Sequence, residues 1–204
     1  VLFAYYHLTT KNPEVQINTA VSFADYASFT APNPLGNGET ITVFNQVSNK
    51  GKSVQVDRNS TVNQDIYTGY ELSFNGKLPH NINVFGGWTA EHTVSITCDT
   101  SDPNKLRFCD QTGQTFQQYG KTSTPPFRND FKIAGNYPLV WGVEVSGVFM
   151  SFPGARSYTN YTVTPAISPG LTQASITVPL VAPGDKFYPQ RTQVDLGLAK
   201  SINF

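Results

Sequence analysis

Charge is scarce in this chain. Of 204 residues, 14 are Lys or Arg and 14 are Asp or Glu, so the formal net charge is zero. The charged fraction of 14% lies well below the roughly 25% of an ordinary soluble domain. This balance removes the basic excess with which nucleic-acid binders neutralise phosphates, so no nucleic-acid partner is expected. Long apolar runs are also missing, and no stretch approaches the roughly 20 apolar residues of a membrane-spanning helix. Neither a starting Met nor a charged segment ahead of an apolar run marks a signal peptide. The chain opens mid-pattern at "VLFAYYHL", and the expectation is a processed protein or a piece of a longer one. Cys98 and Cys109 are the only cysteines. In "CDTSDPNKLRFCD" their spacing suits a disulfide closing a small surface loop in an oxidising compartment, with two reduced thiols as the alternative. A metal site would want more ligands nearby than two cysteines and some aspartates, so neither metal nor cofactor is expected.

What the chain does have is aromatic residues, 13% of the total, set among Thr, Asn and Gly. That is a β-protein composition. It also suits a transmembrane barrel, in which alternating faces keep average hydrophobicity modest. Period-two segments are frequent. In "QDIYTGYELSFNGKL" (64–78), Ile66, Thr68, Tyr70, Leu72, Phe74, Gly76 and Leu78 share one face. Asp65, Tyr67, Gly69, Glu71, Ser73, Asn75 and Lys77 share the other. "PHN" (79–81) is short enough for a tight hairpin, after which "INVFGGWTAEHTVSIT" (82–97) runs back. A second pair repeats the plan. "FRNDFKIAGNY" (127–137) sets Phe127, Phe131, Ile133 and Tyr137 against Arg128, Asp130 and Lys132, and "WGVEVSGVFMSF" (141–152) returns after "PLV". At the chain end, "QRTQVDLGLAKSINF" (190–204) places Val194, Leu196, Leu198, Ile202 and Phe204 on one side.

Connection lengths are asymmetric. The stretches at about 9–63, 99–126 and 153–189 are long and turn-rich, with "ETITVFNQV" reading as a local strand in the first. All three fall at one end of the hairpins and the tight turns at the other. Outer-membrane barrels have this arrangement, with short periplasmic turns, long extracellular loops and aromatic girdles at both interfaces. The charged faces would then line a wet lumen; in a soluble sandwich they would be the solvated outer face.

The phrases "YTGYELSFNGKLP", "NVFGGWTAEHTVSITCD", "DPNKLRFCDQT", "PPFRNDFKIAGNYPLVWGVEVSGVFMSFPG" and "TVPLVAPGDKFYPQRTQVDLGLAKSINF" occur in this order, preceded by "INTAVSFADYASFTAPNP". Together they resemble the C-terminal β-barrel portion of TonB-dependent receptor-like outer-membrane proteins, of the type with an N-terminal carboxypeptidase-regulatory-like domain. The likeness runs nearly end to end. It implies an all-β fold of antiparallel up-and-down strands, the C-terminal section of a transmembrane barrel of about 22 strands, in the bacterial outer membrane. It implies non-enzymatic uptake of a small ligand such as an iron chelate, a cobalamin or an oligosaccharide. An inner-membrane energy-coupling complex would act through a plug, and both plug and N-terminal domains are absent from these residues. The terminal aromatic Phe204, with Ile202 and Leu198 in register, resembles the signal read by the barrel assembly machinery. About six membrane strands are visible, fewer than the 8 or so of even small closed barrels. Under this resemblance the chain is the end of a longer polypeptide or pairs with other chains.

The membrane reading makes Tyr70, Leu72, Phe74, Phe131, Ile133, Val194, Leu196 and Leu198 lipid-facing. Trp88 and Trp141 lie after the two short turns and Tyr137 before the second, so the three read as a periplasmic aromatic girdle. Core tryptophans of a sandwich are the alternative. Tyr119, Tyr158, Tyr161 and Tyr188 lie in the long connections, where they either stack on a ligand or pin the loops together. His7, His80 and His92 are scattered and read as solvated or interfacial. "DTSDPN" (99–104) offers alternating oxygen ligands but lacks the length and terminal bidentate acid of a calcium loop, so it reads as turn chemistry. No catalytic grouping is discernible. Two rival classes stand beside uptake: a structural or adhesive extracellular β-protein assembling through open strand edges, and a soluble carbohydrate-binding β-sandwich.

Overall fold

The computed structural model describes residues 1–36, 38–113 and 124–202. Among them, strands β1 (Leu2–Lys11), β6 (Gln64–Leu78), β7 (Ile82–Ile96), β8 (Arg128–Pro138), β9 (Val143–Phe152) and β12 (Arg191–Lys200) form one antiparallel sheet in the order β1-β6-β7-β8-β9-β12. The remaining strands pair two by two. β2 (Glu14–Asn18) pairs with β5 (Gln55–Asn59), β3 (Tyr26–Pro32) with β4 (Thr40–Gln46), and β10 (Asn160–Val163) with β11 (Ile176–Pro179). The all-β class expected from composition and period is what the chain adopts. The six-stranded sheet is open: among the described residues β1 and β12 are its two edges and do not pair with each other.

The two tight turns share one backbone device. In the Pro79–Asn81 turn, His80 and Asn81 both have positive φ, at 63° and 59°. In the Val140–Gly142 turn, Trp141 and Gly142 do the same at 61° and 71°. Two successive left-handed residues reverse the chain within the twist of the flanking strands. Pro79 fixes the entry φ of the first turn, and the Leu139 N–H closes the second by donating to the Val143 carbonyl at 2.7 Å.

Because successive side chains alternate across a strand, register decides the faces. Phe3, Leu72, Trp88, Phe131, Ser151 and Thr192 form one continuous cross-strand row. Offset by one residue, Ala4, Glu71, Thr89 and Asp130 form a row on the opposite face. Gly86 lies on the first face, where β7 and β8 approach closely, and a Cβ there would sit 2.4 Å from the Lys132 carbonyl oxygen.

The densest interior is not under this sheet. Ala31, Ile41, Val43, Val163, Ile176, Val178 and Leu180 are buried together, with Phe29, Tyr161, Leu171 and Val181 packed on them. This core belongs to β3–β4 and β10–β11, which lie inside the segments 9–63 and 153–189 that sequence reasoning treats as long loops. Those segments carry their own ladders and core, and β1 itself continues to Lys11. The described parts of the three long connections therefore build a folded cap at one end of the sheet. The β2–β5 pair extends the β1–β6 ladder upward after a two-residue slip in register at Asn12–Pro13 and Ser60–Asn63.

Candidate functional site

The apolar face of the sheet is bare. Leu196 and Leu198 are 82% and 76% exposed, and Val194, Tyr70, Leu72 and Phe131 are exposed as well. Phe74 and Ile133 are half-buried beside neighbours on the same face. All eight residues read from the sequence as facing lipid share this side of the register. Leaving so large an apolar surface uncovered is unusual for a monomer in water.

Aromatic residues mark both ends of that face. At the turn end, Tyr137 and Trp141 are exposed, Trp141 at 86%. Trp88 does not join them. It lies inside β7, paired with Leu72 and Phe131, roughly 20 Å along the strand from the turn. Its Nε1–H donates to Asn129 Oδ1 at 3.1 Å. At the cap end, Tyr5 and Tyr70 rings lie 5.2 Å apart and Tyr70 and Phe127 5.8 Å apart. His92 stacks on Phe127 at 4.0 Å while its Nδ1 donates to the Pro125 carbonyl at 3.0 Å. His7 faces Thr68, which faces His92 in the next strand. This second row escapes sequence reasoning because it needs β1 paired with β6 across residues 12–63, a pairing no local pattern specifies.

On the polar face Asp65, Glu71 and Glu91 each accept from a phenol or a hydroxyl. Tyr6 donates to Glu71 at 3.1 Å, Tyr67 to Glu91 at 2.8 Å and the Ser95 hydroxyl to Asp65 at 2.6 Å. Arg128 approaches Glu91 at 4.0 Å and lies over the Phe187 ring.

The cap is tied together by the disulfide loop. Cys98 and Cys109 are bonded, as their spacing suggested, and both are buried with Ile96 and Leu106. The Asn104 side chain, buried, pairs with the β4 backbone like a strand residue. Its Nδ2 donates to the Phe44 carbonyl and its Oδ1 accepts from the Phe44 N–H, both at 2.8 Å. Asp99 holds β5 through Arg58 at 2.6 Å and reaches Ser60 at 2.7 Å, while the Asp102 side chain accepts from the Asn104 N–H. The "DTSDPN" oxygens are thus engaged in turn and cross-link bonds. Among the described residues no cluster of His, Cys, Asp and Glu could hold a metal.

A second polar knot secures the β3–β4 hairpin. Asp25 accepts from the Ser48 hydroxyl, from the Ser22 N–H at 2.8 Å and from Asn49 Nδ2 at 2.8 Å. The Ser48 hydroxyl foremost, then the Ser22 N–H, hold its carboxyl below the usual carboxylate range, against the opposing pull of partial burial. Asn45 reaches the other hairpin, donating to the Gly170 carbonyl at 3.0 Å and accepting from the Thr172 hydroxyl at 2.7 Å.

Of the loop tyrosines, Tyr161 packs against the cap core. Tyr158 and Tyr188 are exposed, and Tyr119 lies outside the described residues, as does the chain-end Phe204; Ile202 is exposed. A cleft of about 190 Å³ opens where the polar face of β7 meets the cap, lined by Thr93, Ser95, Thr97, Phe108, Gln111 and Arg156, with Pro125 and Pro183 completing its wall. The fold and its surfaces define an antiparallel all-β chain with one bare apolar face and a folded cap. No protein-family model matches the chain, nor does any curated protein or solved structure.

Proposed function

We propose that this chain forms the C-terminal barrel part of an outer-membrane protein that takes up a small ligand by TonB-dependent transport. The observation that carries the reading is a two-faced open sheet whose apolar side is bare and the described parts of whose long connections gather at one end. Hydrocarbon is the environment in which such a side costs nothing. Between Leu78 and the His7–Thr68–His92 row, β6 covers roughly 33 Å of strand. At a tilt of about 40° that becomes about 25 Å, the height of a barrel's apolar band. Tyr137 and Trp141 at one limit, and Tyr5, Tyr70 and Phe127 near the other, suit amphipathic rings at headgroup level.

In this reading the cap faces the outside and the Glu71, Glu91 and Lys132 side faces the lumen. Ligand captured at the cap passes on when the energy-coupling complex moves a plug supplied elsewhere. Unpaired edges are untenable in lipid, so further strands complete the barrel beside β1 and β12. The same edges favour the rival of a structural or adhesive β-protein whose copies pair edge to edge.

Cell fractionation and surface proteolysis of the native polypeptide separate the two. Uptake requires the protein in the outer-membrane fraction and the detergent phase, with cleavage in the cap by protease added to intact cells. A folded, monomeric protein in the aqueous phase refutes the membrane reading. Assembly of this chain alone into large edge-paired polymers supports the rival.

A further inference from the structure

The geometry points to the cleft at the cap end of β7 as a binding site for a small hydroxylated carboxylate, of single sugar-acid size. The cleft is preformed. Its floor is the polar side of β7, with Thr93 and Ser95 at alternate positions and Thr97 just past the strand's end. Its roof is held by one side chain: Gln111 Oε1 accepts from the Ser95 N–H at 2.9 Å and its Nε2 donates to the Pro183 carbonyl at 2.6 Å. Thr124 fastens the same residue by donating to the Gln111 carbonyl at 3.2 Å. The disulfide fixes Phe108 beside it, since Cys109 is the next residue. A site whose walls are already bonded loses little freedom when filled, which favours affinity.

The chemistry follows from which groups remain uncommitted. Ser95 gives its hydroxyl to Asp65 and Thr97 contacts the Cys109 carbonyl. Among the described residues the Arg156 guanidinium and the Thr93 hydroxyl make no hydrogen bond. Among the described residues that line the cleft, Arg156 is the only cation and none is a carboxylate. Asp65, the nearest acid across the β6–β7 pairing, is occupied by Ser95. A planar guanidinium fork matches a carboxylate bidentately. One cation suits a monoanion better than a phosphate dianion. Phe108, Pro125 and Pro183 offer C–H and ring surface of the kind a pyranose face covers. At about 30 Å³ per water, the volume holds about six waters, the room of one sugar unit.

This assignment rests on the uptake reading for its physiological role, but binding is measurable without transport. The test is calorimetric titration of the detergent-solubilised native protein with D-glucuronate, D-glucose and inorganic phosphate. Glucuronate is expected to bind and glucose to bind at least tenfold more weakly. Arg156→Gln, an exposed position whose backbone pairing with Phe187 is retained, should weaken glucuronate at least tenfold with an unchanged melting temperature. Lys186→Gln, an exposed charge that does not line the cleft, should leave it unchanged. Equal binding of glucose, tighter binding of phosphate, or an R156Q protein that binds like the parent overturns the assignment. Failure of these titrations in a protein that fractionates with the outer membrane rejects the cleft and leaves the uptake reading standing.

Discussion

Asp25 shows how much of the cap hangs on single residues. Its carboxyl and its own carbonyl together accept from the N–H groups of Ser22, Val47 and Ser48. Since its folded value is lowered, the stabilisation is fully present above the unfolded carboxylate value of about 3.9 and fades as pH falls through the folded value. Amide exchange at Val47 and Ser48, corrected for intrinsic rates, should therefore accelerate below about pH 4. In Asp25→Asn it should be fast at neutral pH and lose that acid dependence. His80 illustrates the opposite economy, a side chain held where glycine is at ease. His80→Gly should stabilise the first turn by about 1 kcal/mol by removing left-handed strain, read from the denaturation midpoint. Of this, only the turn itself was legible in the sequence. "PHN" announces a tight turn through its proline, but nothing in "FAD" or "SNK" reveals that Asp25 and Ser48 meet.

Among elements, the disulfide loop outweighs its length. Asn104→Ala removes both partners of Phe44 and leaves its N–H and carbonyl unpaired beside a buried core, a loss of about 1–3 kcal/mol for each group. Faster proteolysis within 26–46, with the sheet intact, is the expected sign, and reduction of Cys98–Cys109 should produce the same pattern. In the sheet, Gly86→Ala drives a methyl into the Lys132 carbonyl and should impair the β7–β8 pairing by about 1–3 kcal/mol. The long strands were readable because fifteen residues such as 64–78 give period two many chances to declare itself. The cap strands were not, because "NYTV" and "ITVP" are too short to show a period. Their partners also lie far away in sequence, so only "ETITVFNQV" stood out. The same non-locality hid the cleft, whose walls come from β7, the disulfide loop and residues 125, 156 and 183.

At the scale of the whole molecule, the two faces make opposite demands, and one substitution separates the readings. Leu196 is 82% exposed, so Leu196→Arg in water should be nearly neutral and should aid solubility. In a bilayer the same change near the midplane costs about 2–4 kcal/mol, and the level of folded protein in the membrane should fall. Asp195→Asn, one residue away on the opposite side, should have little effect. Composition had already set these demands by holding charge to alternate positions. The identity of the medium on each side was not written there, because grease that faces lipid and grease that faces protein have the same alternation. The placement of the tight interior has a further consequence. On the proposed membrane reading, removal of amphiphiles should leave the six-stranded part without cover for its bare face, whereas the disulfide-bonded head keeps its own oily centre. Aggregates formed that way should be clumped shafts bearing native heads, still recognised by conformational antibodies raised against the head.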